Sequence, residues 1–369
     1  MTHASKRRPR VLYLINGFKR GGAEKGLLHL VQSGAFQGCE LKVVSIIEDQ
    51  GAHVSDLKAA GVEVEHLWGG SRMSAWQWVR AVPRFRRELK RFKPDLLVLS
   101  LPQANIAGRL AAMAVPAVTV ASFEHNTHLA KPTYEKLFRL TSGRVDWLLA
   151  DCEITAEITS HRLYYRSPKR RIVLPLVSFR PQEVRRPVIA DPFRIINAAR
   201  FTDTKNQRLM IEAARLLKDR AYSITITLYG EGPKAEEYER LVEELGLAET
   251  VLMPGFDPEW MNDPANLFVI TSKNEGLCIV ALEALSRGIP VISTRVGGLV
   301  DYGVAAKVCF LEAGTASELA TAIAELIEQP DRLREMRTAG LQMIGRDYSE
   351  ASANAKCREF TAQIFALVA

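Results

Sequence analysis

Four charged residues in the second half of this 369-residue chain, Arg200, Lys205, Glu275 and Glu283, stand beside apparent strand ends and glycine turns. Side chains and free N–H groups at such places suit one chemistry above others, holding and neutralising an anion. In "LFVITSKNEGLCIVALEALSRGIPVISTRVGG" (267–298), seven residues separate Glu275 from Glu283. On one continuous helix, eight steps put them about 12 Å apart along the axis. Both therefore reach a single ligand only if Glu275 lies on a turn folded back over the helix start. The strand is expected to end at Ser272 and the helix to begin near Leu277. The N–H groups of Gly276, Leu277 and Cys278 then point at an anion. Upstream, "NAARFTDTKNQRLMIEAA" places Arg200 at a strand end and Lys205 at the opening of the next helix. "LYGEGP", with Gly230 and Gly232, and "MPGF" are strands running into glycine turns. Each residue alone has a structural reading as good as the functional one: Glu275 a helix cap, Glu283 a solvated helix residue, Arg200 and Lys205 surface charges. Their occurrence together, in this order, favours a site.

The first half opens with another strand–glycine–helix passage, "LINGFKRGGAEKG". A dinucleotide fingerprint needs G-x-G-x-x-G, but Lys19 occupies the middle position between Gly17 and Gly22. A phosphate loop of the Walker type needs G-K-[ST], but Lys25 is followed by Gly26 and Leu27. What remains is Gly21 and Gly22 at a helix N-terminus, either a phosphate seat or a plain tight turn. Further on, "EHN" (Glu124–Asn126) closes a strand and offers His125 and Asn126, with a buried structural histidine as the alternative.

The elements that must position these residues recur as β-branched apolar runs separated by helical stretches. "VLYLI", "LKVVSII", "VEVEHL", "LLVLS", "AVTVASFE", "WLLAD" and "IVLPLV" read as strands of the first half. "RIINAAR", "ITITLYG", "VLMPG", "LFVITS" and "PVISTR" read as strands of the second. Such alternation predicts parallel sheets covered by helices on both faces, an α/β chain of two doubly wound domains. "SFRPQEVRRPVIADP" (178–192) is rich in proline and arginine and places the boundary at 180/181. Two such domains would leave a cleft at the C-terminal ends of their strands.

Composition narrows the class. Hydrophobic residues make up 47% and charged residues 25%, ordinary values for a soluble chain. Five scattered cysteines without a C-x-x-C pair suggest reduced thiols in a cytoplasmic setting and no zinc site. The longest near-apolar run, Leu110 to Ala121, contains Pro116 and falls short of a membrane span, and the first apolar run is too short for a signal peptide. Residues 1–180 hold 28 Lys and Arg against 15 Asp and Glu, whereas 181–369 hold 21 against 27. A basic first half suggests an anionic partner, a membrane surface or nucleic acid.

The whole set resembles the family 4 retaining glycosyltransferases of the two-Rossmann-domain GT-B fold. The likeness runs from "GFKRGGAE" through "EHN", the Arg200/Lys205 pair and the "GEGP" turn to the two glutamates and "VGG". It departs from the family at Asn266, where an aspartate is common, and after "VGG", where "LVDYGVAAKV" replaces a longer glycine-bearing loop. The resemblance implies an N-terminal acceptor domain (1–180) and a C-terminal nucleotide-sugar domain (181–369), with a last helix that can cross back. It implies that the bound phosphates belong to a nucleotide-diphosphate sugar, a substrate and no cofactor; a UDP-sugar is favoured and a GDP-sugar is the second choice. Glu283 would hold the ribose hydroxyls and Glu275 would contact the donor sugar. His125 would sit beside that sugar, and Gly21 and Gly22 would let the first domain close on the diphosphate. Retention would come from front-face attack by the acceptor.

Departure of the diphosphate develops negative charge that must be neutralised. The chain lacks the Asp-x-Asp that often holds a metal; "DCE" (Asp151–Glu153) is the nearest approach. Arg200, Lys205 and the helix N-terminus at Gly276 can act instead, at roughly 1.5–3 kcal/mol per charged hydrogen bond, so no metal is expected. In "SAWQWVRAVPRFRRELKRFKPD" (74–95), Trp76, Val79, Val82, Phe85, Leu89 and Phe92 recur at helical spacing, with Arg80, Arg84, Arg87 and Arg91 between them. This is the pattern of a helix lying on an anionic bilayer, although a helix covering a sheet shows the same apolar stripe. The first expectation is thus a cytoplasmic enzyme at the inner face of the cytoplasmic membrane. It would transfer sugar to a glycan or lipid-linked acceptor in surface polysaccharide or glycolipid synthesis. A sugar-nucleotide epimerase of the same fold is the alternative, and a nucleic-acid-binding protein a weaker one, for want of any nucleic-acid motif.

Overall fold

The structure, a computed structural model, describes residues 7–18, 22–48, 51, 53–70, 75–129, 132–182 and 190–369, without the side chains of 75–79. It forms two compact units, Met1–Ser178 with Glu350–Ala369, and Phe179–Ser349.

The first unit begins β1 (Arg10–Ile15), α1 (Gly22–Gln32), β2 (Glu40–Ile47), α2 (His53–Ala59), β3 (Glu63–Trp68) and α3 (Ala75–Phe92). It continues β4 (Leu96–Ser100), α4 (Pro102–Ala112), β5 (Thr119–Glu124), α5 (Pro132–Thr141), β6 (Trp147–Ala150), α6 (Glu153–Leu163) and β7 (Arg170–Val173). Its seven strands are all parallel, in the order β3-β2-β1-β4-β5-β6-β7. The apolar runs are continuous because helices cover both faces of a parallel sheet. Val11 to Ile15 are accordingly all buried.

The second unit runs β8 (Phe193–Ala198), α7 (Arg208–Asp219), β9 (Ile224–Tyr229), α8 (Ala235–Glu244), β10 (Val251–Gly255) and β11 (Leu267–Ile270). Then follow α9 (Ile279–Ser286), β12 (Val291–Thr294), α10 (Leu299–Tyr302), β13 (Cys309–Leu311), α11 (Ala316–Glu328) and α12 (Pro330–Asp347). This sheet is also parallel, in the order β10-β9-β8-β11-β12-β13. The three-residue β13 is too short to show as a run in the sequence. The last helix, α13 (Glu350–Phe365), belongs to the first unit. Its Thr361 hydroxyl donates to the carbonyls of Gly34 and Ala35, and its Phe360 packs edge-on against Phe36 and Trp147.

The expectation that α3 turns its apolar stripe toward a bilayer is corrected. Phe85, Leu89 and Phe92 are buried in the core formed with Leu12, Val44 and Leu97. Burying a Phe or Leu contributes about 1.5–3 kcal/mol, and the sheet takes that gain. Arg84 and Arg91 also have partners in the fold. Arg84 lies 3.5 Å over the Trp68 ring and donates to the Leu67 carbonyl, and Arg91 pairs with Glu65 and Glu88. Arg80 and Arg87 are exposed, and the side chain of Trp76 lies outside the described residues.

Candidate active site

In both sheets the strand order reverses once, between β1 and β4 and between β8 and β11. Successive helices cross to opposite faces there, leaving a crevice at the C-terminal ends of the strands. Most of the sequence-selected residues fall at these two edges.

In the second unit, β8 ends at Ala198, and Arg200 is exposed two residues beyond it. Lys205 stands in a turn ahead of α7, whose first residue is Arg208, so it does not open the helix as expected. The passage around Arg200 is clamped by the "GEGP" turn. Ala199 and Phe201 donate main-chain bonds to Tyr229 and Glu231. A Cβ on Gly230 would meet the Ala199 carbonyl oxygen at 2.0 Å, and one on Gly232 the Phe201 oxygen at 2.3 Å. These two glycines therefore let the turn lie directly on the backbone that carries Arg200.

After β11, residues 271–278 form an irregular turn, and α9 starts at Ile279, two residues later than expected. Glu275 is on that turn and Glu283 on the helix, both buried. Glu275 Oε1 accepts from Lys205 Nζ at 2.5 Å and from Ser272 Oγ at 2.6 Å. Lys205 is thus partly neutralised by Glu275, and Oε2 of Glu275 has no hydrogen bond among the described residues. Among the described residues the N–H groups of Gly276, Leu277 and Cys278 donate to no protein acceptor. Cys278 has φ 59° and ψ 64°. A left-handed residue ahead of a helix turns successive N–H groups toward one point, a nest for an anion. Burial pushes the Cys278 thiol well above its usual range, and the neighbouring Glu275 carboxylate adds to that shift.

The "VGG" turn supports this nest. Gly298 N–H donates to the Gly276 carbonyl at 2.7 Å, and Gly297 has φ +49°. A Cβ on Gly297 would meet the Gly276 oxygen at 2.1 Å. The Tyr302 hydroxyl, at 3.2 Å from the carbonyls of both Leu277 and Cys278, holds the other side. Asn266 has a structural role: its side-chain oxygen accepts from the Arg194 N–H, joining the starts of β8 and β11.

In the first unit, His125 follows β5 and its ring lies on Phe123, with centroids 4.4 Å apart. Its Nε2 is 2.8 Å from Ser100 Oγ, at the end of β4, and its Nδ1 is 3.9 Å from Asp151, past the end of β6. Burial pushes the imidazole down to about 4, so it is neutral at pH 7. Asn126 is exposed. Gly22 opens α1 in an exposed position, and Gly21 lies outside the described residues.

Beneath "EHN" lies a buried ionic network that sequence reasoning missed. Arg109 of α4, 0% exposed, reaches Ser122 Oγ at 2.5 Å, Tyr164 Oη at 3.0 Å, Glu124 at 3.2 Å and the Phe138 carbonyl at 3.2 Å. The hydroxyls of Ser122 and Tyr164 also donate to Glu124, at 2.7 and 2.8 Å. The one available signal was a lone arginine inside the apolar stretch "AGRLAAMAVPAV". Glu124 is therefore bound inward, and its network fixes the strand end from which His125 projects. Among the described residues no group of three His, Cys, Asp or Glu side chains could hold a metal ion.

Two parallel sheets with these reversals, and glycine turns at the second one, are the architecture of the GT-B fold. Comparison with known proteins names the family. The model for "Glycosyl transferase 4-like domain" matches residues 21–176, and that for "Glycosyl transferases group 1" matches 180–343. The chain belongs to the group 1, family 4 glycosyltransferases. It is 28% identical over 241 residues to WcaL of Escherichia coli (strain K12), a glycosyltransferase named for colanic acid biosynthesis. That match covers 58% of this chain and 57% of WcaL, so the chain spans little more than half the length of this relative. It is 27% identical over 293 residues to the glycosyltransferase EpsD of Bacillus subtilis (strain 168), covering 72% and 76% of the two chains. In fold it is similar to HepE of Anabaena in complex with UDP, with a TM-score of 0.78, 17% identity, and 96% and 100% of the chains covered.

Proposed function

We propose that this protein transfers a sugar, with retention, from a nucleotide-diphosphate sugar to a glycan or lipid-linked acceptor in surface polysaccharide synthesis. The observation that carries this reading is the set of three N–H groups at Gly276, Leu277 and Cys278 with no protein acceptor among the described residues, in the same unit as Lys205 and exposed Arg200. The name of WcaL supports the polysaccharide context, and HepE, crystallised with UDP, supports a UDP-sugar ahead of a GDP-sugar.

In this reading the nest and the two cations take up the charge that develops on the departing diphosphate, in place of a metal ion. Glu275 Oε2 accepts a hydroxyl of the donor sugar while Oε1 stays with Lys205. Glu283 takes the ribose hydroxyls. The acceptor attacks from the face the diphosphate leaves.

Ligand-induced thermal shift across UDP, GDP, ADP and their sugar conjugates tests the donor site. A ligand at 100 times its dissociation constant stabilises by about 2.7 kcal/mol. One nucleotide family should raise the melting temperature, and Glu283→Ala and Lys205→Met should each lose that rise. No shift with any nucleotide, or an undiminished shift in both variants, overturns the assignment. Consumption of donor without acceptor, yielding an epimerised sugar nucleotide, would favour the epimerase.

A further inference from the structure

We infer that the first unit carries a second small-molecule site, for a hydroxyl-rich acid such as a sugar phosphate or a carboxylated sugar. It is a cleft bounded by the last turn of α1, the turn after α2 and helix α13, with a volume of about 460 Å³, in the usual range for small-ligand sites. Leu41, at the start of β2, lines it, whereas His125 follows the end of β5. The strands are all parallel, so the cleft and His125 lie at opposite edges of the sheet. The inference is independent of the glycosyl-transfer reading.

The chemistry of the cleft comes from polar side chains that the fold does not use. Asn354 and Arg358, one turn apart on α13, line one side, and Gln32 and Gln37, from the end of α1 and the loop beyond it, line another. Among the described residues none of these four side chains has a hydrogen bond or ion pair. Arg358 is the one charged side chain of the lining among the described residues. Its planar fork suits a carboxylate or phosphate, which it can bind through two parallel N–H bonds. The three amides each offer a donor and an acceptor, the complement of hydroxyl groups. Asp95, the acid whose charge reaches Cys39 in the cleft wall, is held by Arg7 and by the Arg10 N–H, so it does not compete for Arg358. α1 and α2 both finish at the cleft, and the C-terminal end of a helix is negative. A bare anion is opposed on that side, and hydroxyl donors are favoured there, which selects an acid that also carries hydroxyls. The walls are preformed, since Thr361 and Phe360 fasten α13 to the 34–36 loop, and a preformed site spends little binding energy on ordering.

Cys39 supplies the readout. It lines the cleft and is partly exposed, and burial, with the Asp95 charge added, pushes its thiol up to about 11. Peptide-resolved alkylation by iodoacetamide, run near roughly pH 9 to raise the thiolate fraction, should be slowed by glucose 6-phosphate or glucuronate. The factor is 1 + [ligand]/Kd, about 11-fold at ten times Kd. Cys309, partly exposed in the second unit, should react at an unchanged rate. Glucose and inorganic phosphate each carry half of the recognised chemistry and should bind at least about tenfold more weakly. Arg358→Gln, at an exposed position, should keep the fold and weaken protection by on the order of tenfold or more. Lys205→Met, in the other unit, should leave protection unchanged. Protection by one of the two acids alone supports the site and names the anion that Arg358 takes. No protection by either acid at millimolar concentration, or equal protection by glucose or inorganic phosphate, overturns the proposal. So does slowing of Cys39 and Cys309 alike, or protection undiminished in Arg358→Gln.

Discussion

Arg109 provides the sharpest test of how the first unit is held together. Arg109→Met removes a guanidinium that is 0% exposed, with its bonds to Ser122, Glu124, Tyr164 and the Phe138 carbonyl. Glu124, only 4% exposed, is then left charged and supported by two hydroxyls alone. Breaking a buried pair from one side typically costs 3–5 kcal/mol, because the remaining charge is uncompensated. Against a domain stability of about 5–15 kcal/mol, that is a large share. Arg109→Met/Glu124→Leu removes both charges; the Ser122 hydroxyl keeps Asn105 Oδ1 as an acceptor, so the residual cost is the Tyr164 hydroxyl left without one, about 1–3 kcal/mol. The double variant should therefore be more stable than Arg109→Met by at least about 1 kcal/mol, against additivity. Hydrogen–deuterium exchange of the β5 and β6 amides reads the first unit by itself. An Arg109→Met cost below about 1 kcal/mol, or a double variant less stable than the single one, would refute the assigned network.

Two further predictions follow from the same geometry. Burial holds His125 at about 4, below the usual 6.5 of an unfolded histidine, so the folded state favours the neutral ring. This contribution is complete above pH 6.5 and is lost as pH falls toward 4, at about 1.4 kcal/mol per unit. Urea unfolding of His125→Asn should show a flatter stability curve between pH 7 and 4.5 than the parent, and parallel curves would contradict the burial. Gly297→Ala places a Cβ against the Gly276 carbonyl at a φ of +49°. It should lower stability by more than about 1 kcal/mol and weaken nucleotide-sugar binding, and a neutral effect in calorimetry would remove Gly297 as the support of the nest.

By itself the sequence determined the two α/β units and most of their strands. A strand buried on both faces must be a continuous apolar run, and glycine turns punctuate such runs unmistakably. It also determined that Glu275 lies on a turn and Glu283 on a helix, since spacing alone forbids both from serving one ligand otherwise. Composition could not say which face of α3 is buried, because a stripe for a sheet and a stripe for a bilayer have the same period; the burial of Phe85 and Leu89 decided it. Nor could local pattern show that Lys205 closes on Glu275 across seventy residues, or that Arg109 reaches Glu124 and Tyr164 from three separate segments. Such partners are set by which strands lie side by side. The same holds for α13, whose Phe360 lies against Phe36 and Trp147 of the first unit, and for the exposed leucines of α4 and α5. Leu110, Leu137 and Leu140 are exposed because the packing of the helices turns them outward, which no local pattern shows.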